Sequence, residues 1–223
     1  MILLAFILFL LIGCDEKNPV SSDNKLVITD VDGNTYKIVK IGSQLWMTEN
    51  LKTTRYRNGD TIPCVTDNDE WEILASGAYC EYDNDSNNVA TYGRLYNWYA
   101  FYDSRNIAPE GWHVPTDTEW QILIDYLGGD NVASGKMKEA GTTHWASPNY
   151  GATNESHFTA LPGGLRFEDG RYFSMGSEAH FWTNTEYDSY TAFLRYLYCE
   201  YFNYANRFII KKTCGLSVRC VKD

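Results

Sequence analysis

Most of the residues that would name a chemistry are missing from this chain. The four histidines, at positions 113, 144, 157 and 180, fall at no ligand-like spacing, and no Cys-x-x-Cys pair occurs. Zinc ribbons and thioredoxin-type redox motifs are therefore excluded, and no metal ligand is assigned. No Gly-x-Ser-x-Gly elbow is present. Basic residues are scarce: 19 Lys and Arg stand against 29 Asp and Glu, with no basic stripe, which excludes nucleic acid as a partner. No apolar run is long enough to span a bilayer as a helix, and no repeat period points to a solenoid or propeller. Carboxylates are plentiful, but none is set apart by an apolar neighbourhood, so no catalytic residue and no cofactor are assigned.

What the chain does have is apolar and aromatic. Residues of hydrophobic type make up 44%, enough for a real core, and 17 Tyr and 7 Trp give it an unusual ring content. Such rings serve both β cores and sugar-stacking surfaces, core packing being the commoner use.

The apolar run from Ile2 to Ile12 has the length of the h-region of an export signal, with no Lys or Arg ahead of it. Leu11-Ile12-Gly13-Cys14 resembles the lipobox of bacterial lipoproteins. That resemblance implies cleavage before Cys14, acylation of its sulfur and its new amine, and attachment to the lipid bilayer. Several chains anchor far more firmly than one. On this reading residues 1–13 are the signal, 14–25 a polar tether and 26–223 a single domain of about 200 residues. Asp15-Glu16 resembles the acidic export tag of surface-displayed outer-membrane lipoproteins, so an outer-membrane location facing outward is expected. Five other cysteines remain, at 64, 80, 199, 214 and 220, and export permits disulfides among them.

Leu26 to Ile41 alternates around Asp32-Gly33 and predicts a hairpin. The turn accounts for Asp30, Asp32 and Asn34, which otherwise look like the start of a calcium loop lacking its terminal Glu. Asp67 with Glu70 predicts a short helix, and Tyr92–Tyr102 another. Thr116 and Glu119 form a capping box ahead of Trp120, Leu123, Ile124 and Leu127, a helix stopped by Gly128-Gly129. Beyond about Ala140 the period becomes that of strands. His157–Leu161 and Arg171–Phe173 read as strands split by a Pro162-Gly163-Gly164 turn. Ala192–Tyr204 reads as one long strand with Leu194, Tyr196 and Tyr198 on one face, and Leu216–Val221 as the last. Two helices in the front half with short antiparallel strands behind make an α+β fold.

Seven blocks resemble the Fibrobacter succinogenes major paralogous domain: Leu45–Leu51 (LWMTENL), Tyr92–Ala100 (YGRLYNWYA), Gly111–Trp120 (GWHVPTDTEW), Gly141–Trp145 (GTTHW), Phe158–Arg166 (FTALPGGLR), Phe181–Thr183 (FWT) and Gly215–Asp223 (GLSVRCVKD). A cysteine expected a little ahead of Gly111 is absent. His113–Trp120 is also similar to the helix-opening motif of formylglycine-generating enzymes, and Ser217–Cys220 to the closing strand of those enzymes and of C-type lectins. The resemblance implies a C-type-lectin-like fold and, by analogy with lectin disulfides, a Cys199–Cys214 bridge.

The expected function is a non-catalytic surface module that binds glycan or another envelope component. Tyr196 and Tyr198 are the candidate stacking residues, and Arg166, like His113, is a candidate for lining a pocket. The Glu-Pro-Asn and Trp-Asn-Asp signatures of calcium-dependent lectins are absent; the chain reads Phe181-Trp182-Thr183-Asn184-Thr185-Glu186. One alternative is an oxidase resembling the formylglycine-generating enzymes, with Cys214 and Cys220 holding copper. Their spacing of six residues is one more than such a pair is expected to have. A second alternative is a structural protein–protein module of the envelope.

Overall fold

The computed structural model describes residues 27–200 and 204–223; the signal, Cys14 and the tether lie outside the described residues. The first hairpin forms as its alternation predicts. Strands β1 (Val27–Thr29) and β2 (Thr35–Ile41) pair antiparallel with Ile28 opposite Tyr36. The Asp30 carboxylate closes the turn, accepting from the Asp32 and Asn34 N–H groups and from the Tyr36 hydroxyl. β3 (Gln44–Met47) returns along β2. Helix α1 (Asn68–Glu72) opens on Asp67, whose side chain accepts from the Glu70 N–H at 2.9 Å.

The helix expected over Tyr92–Tyr102 does not form as one piece. The chain makes β4 (Tyr79–Cys80), α2 (Val89–Tyr92), β5 (Leu95–Tyr96) and α3 (Trp98–Tyr102) instead. Gly93 is the break: it sits at φ 75°, where a Cβ would lie 2.8 Å from Asn50 Cβ. Asn97 then restarts the helix, its side chain accepting from the Ala100 N–H at 3.1 Å.

β6 (Trp112–His113) leads into α4 (Asp117–Tyr126), where both halves of the Thr116–Glu119 capping box are made. All four apolar positions predicted to face inward are buried. Helix α5 (Asp130–Met137) follows at once and has no counterpart in the sequence reading. Its buried residues include Ala133, Ser134 and Gly135, small groups that allow close packing without an apolar stripe.

Seven strands follow: β7 (Gly163–Arg166), β8 (Tyr172–Met175), β9 (Glu178–Glu186), β10 (Thr191–Tyr198), β11 (Asn206–Lys211), β12 (Leu216–Ser217) and β13 (Val221–Lys222). Gly163 and Gly164 lie inside β7 rather than in a turn, because a Cβ on Gly164 would collide with the Phe173 carbonyl of β8. Residues 157–161 are loop apart from one bridge, Ala160 to Lys138. The strand expected to run to Tyr204 ends at Tyr198.

The smaller sheet runs β1-β2-β3-β13-β6, and the larger runs β11-β10-β9-β12-β5-β4 with β7 and β8 added beside β9. The expected last strand is thus split in two, β12 serving one sheet and β13 the other. The α+β class holds. Among the described residues no helix is long and apolar enough to cross a membrane.

The aromatic content goes mainly inward. All seven tryptophans are buried, and the indole N–H groups of Trp98, Trp120, Trp145 and Trp182 donate to backbone carbonyls. Cys199 and Cys214 are not bridged: all five cysteines among the described residues are free thiols. The two lie in different core clusters, Cys199 with Trp120 and Phe181 and Cys214 with Trp98 and Trp182, which leaves no bridge to make.

Candidate functional site

Alternation along β10 sends its side chains to two different neighbours. Arg195, 2% exposed, faces α4 and donates to Asp117 Oδ1 (3.0 and 2.8 Å) and Gln121 Oε1 (2.9 Å). Leu194 and Tyr196 face the other way, into a cleft of about 520 Å³ between the β9-β10-β11 surface and the β7–β8 hairpin. That volume lies in the range typical of small-molecule sites.

Cross-strand pairing builds the floor. Tyr196 lies opposite His180 in the β9–β10 ladder, and their rings stack with centroids 5.6 Å apart and planes 19° from parallel. Phe173 and Phe167, in edge contact at 6.0 Å, come from the hairpin side, and Phe208 from β11 stands opposite. Phe208 is 62% and Phe173 41% exposed, a large apolar presence for a surface position. Glu178, Arg171 and Ser174 supply the polar part of the lining.

His180 is the unusual member. Burial pushes its imidazole down to about 4, so the ring is neutral at physiological pH. Its Nε2 lies 3.4 Å from Glu178 Oε2, and its Nδ1 has no hydrogen-bond partner. A buried ring nitrogen left unpaired is costly, and it marks His180 as a residue that packing of the core alone does not account for. The cleft thus combines aromatic rings with a neutral imidazole, a carboxylate and a guanidinium as its polar groups.

Of the residues singled out from the sequence, Tyr196 alone lines this cleft. Tyr198 is half-buried and packs against the core cluster containing Leu197 and Cys199. Arg166 does not contact ligand space: it is fully buried and its guanidinium donates to the carbonyls of Val65, Thr66, Asp67 and Gly170 and to Asn68 Oδ1. It fastens β7 to the 65–68 segment. His113 also ties elements together, with Nδ1 2.6 Å from Asp223 Oδ1 and Nε2 2.8 Å from Glu119 Oε1. Burial alone would lower its pKa, but these two hydrogen bonds outweigh that and raise it. Glu119 is thereby occupied by the cap and by His113.

Cys214 and Cys220 are both buried, and burial pushes their thiols up, that of Cys214 to about 12. Copper-binding chemistry needs thiolates, which this environment opposes. Among the described residues no group of three or more His, Cys, Asp or Glu side chains is placed to hold a metal ion.

A family model described as the Fibrobacter succinogenes major domain matches residues 39–222. The chain belongs to that family. No curated protein and no solved structure matches it. In this member of the Fibrobacter succinogenes major domain family, the match takes in both sheets apart from β1 and the start of β2, and all of the aromatic cleft.

Sequence reasoning missed His180, Glu178, Arg171 and the phenylalanines of the cleft. The signal for His180 was available: it sits two residues before Trp182 in a strand, so the two share a face, and a histidine on an inward face is noteworthy. The β7–β8 contribution had no signal, because its glycines read as a turn.

Proposed function

We propose that this chain is a membrane-anchored bacterial lipoprotein, held to the outer membrane through acylated Cys14, whose domain binds glycan without catalysing a reaction on it. The observation that carries the binding part is the stacked Tyr196–His180 pair on the floor of the aromatic cleft, with Glu178 beside the imidazole. Sugar rings stack on such faces, and their hydroxyls use such polar groups. A binding rather than hydrolytic role is favoured by the lining itself. It contains one carboxylate, Glu178, where glycoside hydrolysis ordinarily uses two. A C-type-lectin-like arrangement is part of the same reading, supported by the pairing of the last strand with β3 and by two adjacent helices ahead of a run of mostly antiparallel strands.

The test is a glycan array probed with the full-length chain in detergent, with and without EDTA, followed by affinity measurement for any hit. Tyr196→Ala is expected to weaken binding roughly tenfold, the upper range for an aromatic contact. Failure to bind any glycan or envelope polymer, or equal binding by Tyr196→Ala, would overturn the reading. The anchor is tested separately by intact mass of membrane-extracted protein, expected to begin at an acylated Cys14.

A further inference from the structure

A second cleft, of about 390 Å³, lies away from the aromatic one, where β2, the segment after β3, α2 and the loops ahead of β7 and β13 meet. Its charge is unlike that of the rest of this acidic chain. Lys37, Lys52 and Arg219 line it against a single carboxylate, Glu49, which lies 3.7 Å from Lys37 Nζ and 3.8 Å from Lys52 Nζ. Neither distance is that of a tight charge-assisted hydrogen bond, so both ammonium groups keep donors for another partner.

Arg219 is the core of the argument. It is 1% exposed, and among the described residues no carboxylate lies within ion-pair distance of it. Its acceptors are neutral: Asn50 Oδ1 takes Nε and Nη2 at 3.1 and 2.7 Å, and the carbonyls of Phe158 and Thr159 take the rest. These four hydrogen bonds use four of the five N–H groups that a guanidinium carries. Burial opposes the cation and outweighs the more distant charge of Glu49, pulling its pKa down to about 9. Arg166 makes a useful contrast. It too is buried among neutral acceptors, but it makes five such bonds and lines no cleft.

The walls are prepared as well. Asn50 is clamped between Arg219, the Tyr92 carbonyl (2.8 Å) and Ser217 Oγ (3.2 Å), so it holds the guanidinium in place. His144 is oriented by Glu139, whose carboxylate oxygens both lie 2.9 Å from Nδ1, leaving Nε2 for the cleft. Four of the seven blocks that carry the family resemblance supply lining residues here: Thr48, Glu49 and Asn50 from the first, His144, Thr159 and Leu161 from two in mid-chain, and Arg219 from the last.

We infer that this cleft is an oxyanion-binding site, taking the carboxylate or phosphate group of a small polar ligand against Arg219, Lys52 and Lys37. An anion there would supply the contact ion pair that Arg219 lacks, and the lysines would close over it. This reading is independent of the aromatic cleft.

Calorimetric titration of the full-length chain at low salt tests it, with inorganic phosphate and glucuronate as probes and glucose as the neutral control. In Tyr196→Ala, where the aromatic cleft has lost its stacking ring, phosphate, glucuronate or both should bind while glucose does not, and whichever binds names the source of the anionic group. Affinity should fall as salt rises. Lys52→Gln should weaken binding about fivefold, and the Lys37→Gln, Lys52→Gln pair more, as expected for removal of rim charges. Tyr196→Ala should leave it unchanged, which keeps this result distinct from failure of glycan binding. Absence of binding by both anions at about 10 mM, far above the range of a specific site, would overturn the inference. So would glucose binding to Tyr196→Ala as tightly as the anions, or wild-type affinity in the double lysine variant.

Discussion

Replacing Arg166 by lysine separates its geometry from its charge. The guanidinium reaches the carbonyls of Val65 (2.6 Å), Gly170 (2.9 Å), Thr66 (3.0 Å) and Asp67 (3.2 Å) and Asn68 Oδ1 (2.9 Å). It also lies 4.3 Å from the Trp71 ring centroid and 5.1 Å from that of Tyr172. A lysine keeps the positive charge but offers three donors from one point, so at least two of these five acceptors lose their partner. Hydrogen bonds to a charged group are each worth about 1.5–3 kcal/mol, so the loss is about 3–6 kcal/mol. For a domain of this size that lowers Tm by about 10 °C. Urea unfolding followed by tryptophan fluorescence measures it, since Trp71 sits on the affected ring stack. Affinity for a ligand of the aromatic cleft should be unchanged in the folded variant. A stability loss below about 0.5 kcal/mol, the size of a typical surface substitution, would refute the fastening role. So would a selective loss of ligand affinity at full stability.

Two further outcomes follow from titrating groups. The raised pKa of His113 means its ties to Asp223 and Glu119 stabilise the fold fully below its ordinary value near 6.5 and are lost as pH rises through the folded value. Compared with His113→Gln, the native chain should lose stability as pH rises from the histidine's ordinary value near 6.5 through its raised folded value. Identical pH profiles for the two proteins would rule this out. Thiol titration of the native fold should find Cys64, which is exposed, reacting fast, and Cys80, Cys214 and Cys220 reacting only on unfolding. Fewer than five reactive thiols at positions 64 to 220 after denaturation without reductant would mean that a disulfide forms after all.

How legible each element was depended on whether its cause was local. The β1–β2 hairpin and α4 were readable because turn chemistry at Asp30–Gly33 and the Thr116–Glu119 box act within a few residues. The break at Gly93 was not, since what forbids a side chain there is Asn50, more than 40 residues earlier. The split between β12 and β13 is equally non-local, being set by which sheet each half joins. At the site, period-two alternation correctly placed Leu194, Tyr196 and Tyr198 on one face of β10. It could not show that the cleft takes in Tyr196 and stops short of Tyr198, because that depends on where the β7–β8 hairpin lies over the sheet. Arg166 misled because a buried arginine fastening backbone carbonyls and one lining a pocket look alike in one dimension.

The two clefts differ in what their loss would do to the fold. Around the aromatic cleft, only Leu165 lies inside a block shared with the family, and the rings at its rim are largely exposed: Phe208 at 62% and Phe173 at 41%. Such positions carry little core packing, so their side chains can change with small effect on stability. The cationic cleft is the opposite case. Arg219 is 1% exposed and bonds Asn50, which in turn holds the Tyr92 carbonyl and Ser217, so the same hydrogen bonds that position the charge join α2, β12 and the segment after β3. A change there disturbs framework and site together. On the two proposals made above, the anion-binding position is tied into the framework while the rings of the aromatic cleft are free to vary. Burial and connectivity set the two clefts apart, and the recognisable blocks of the sequence gather around the more deeply tied one, at Arg219 rather than at Tyr196.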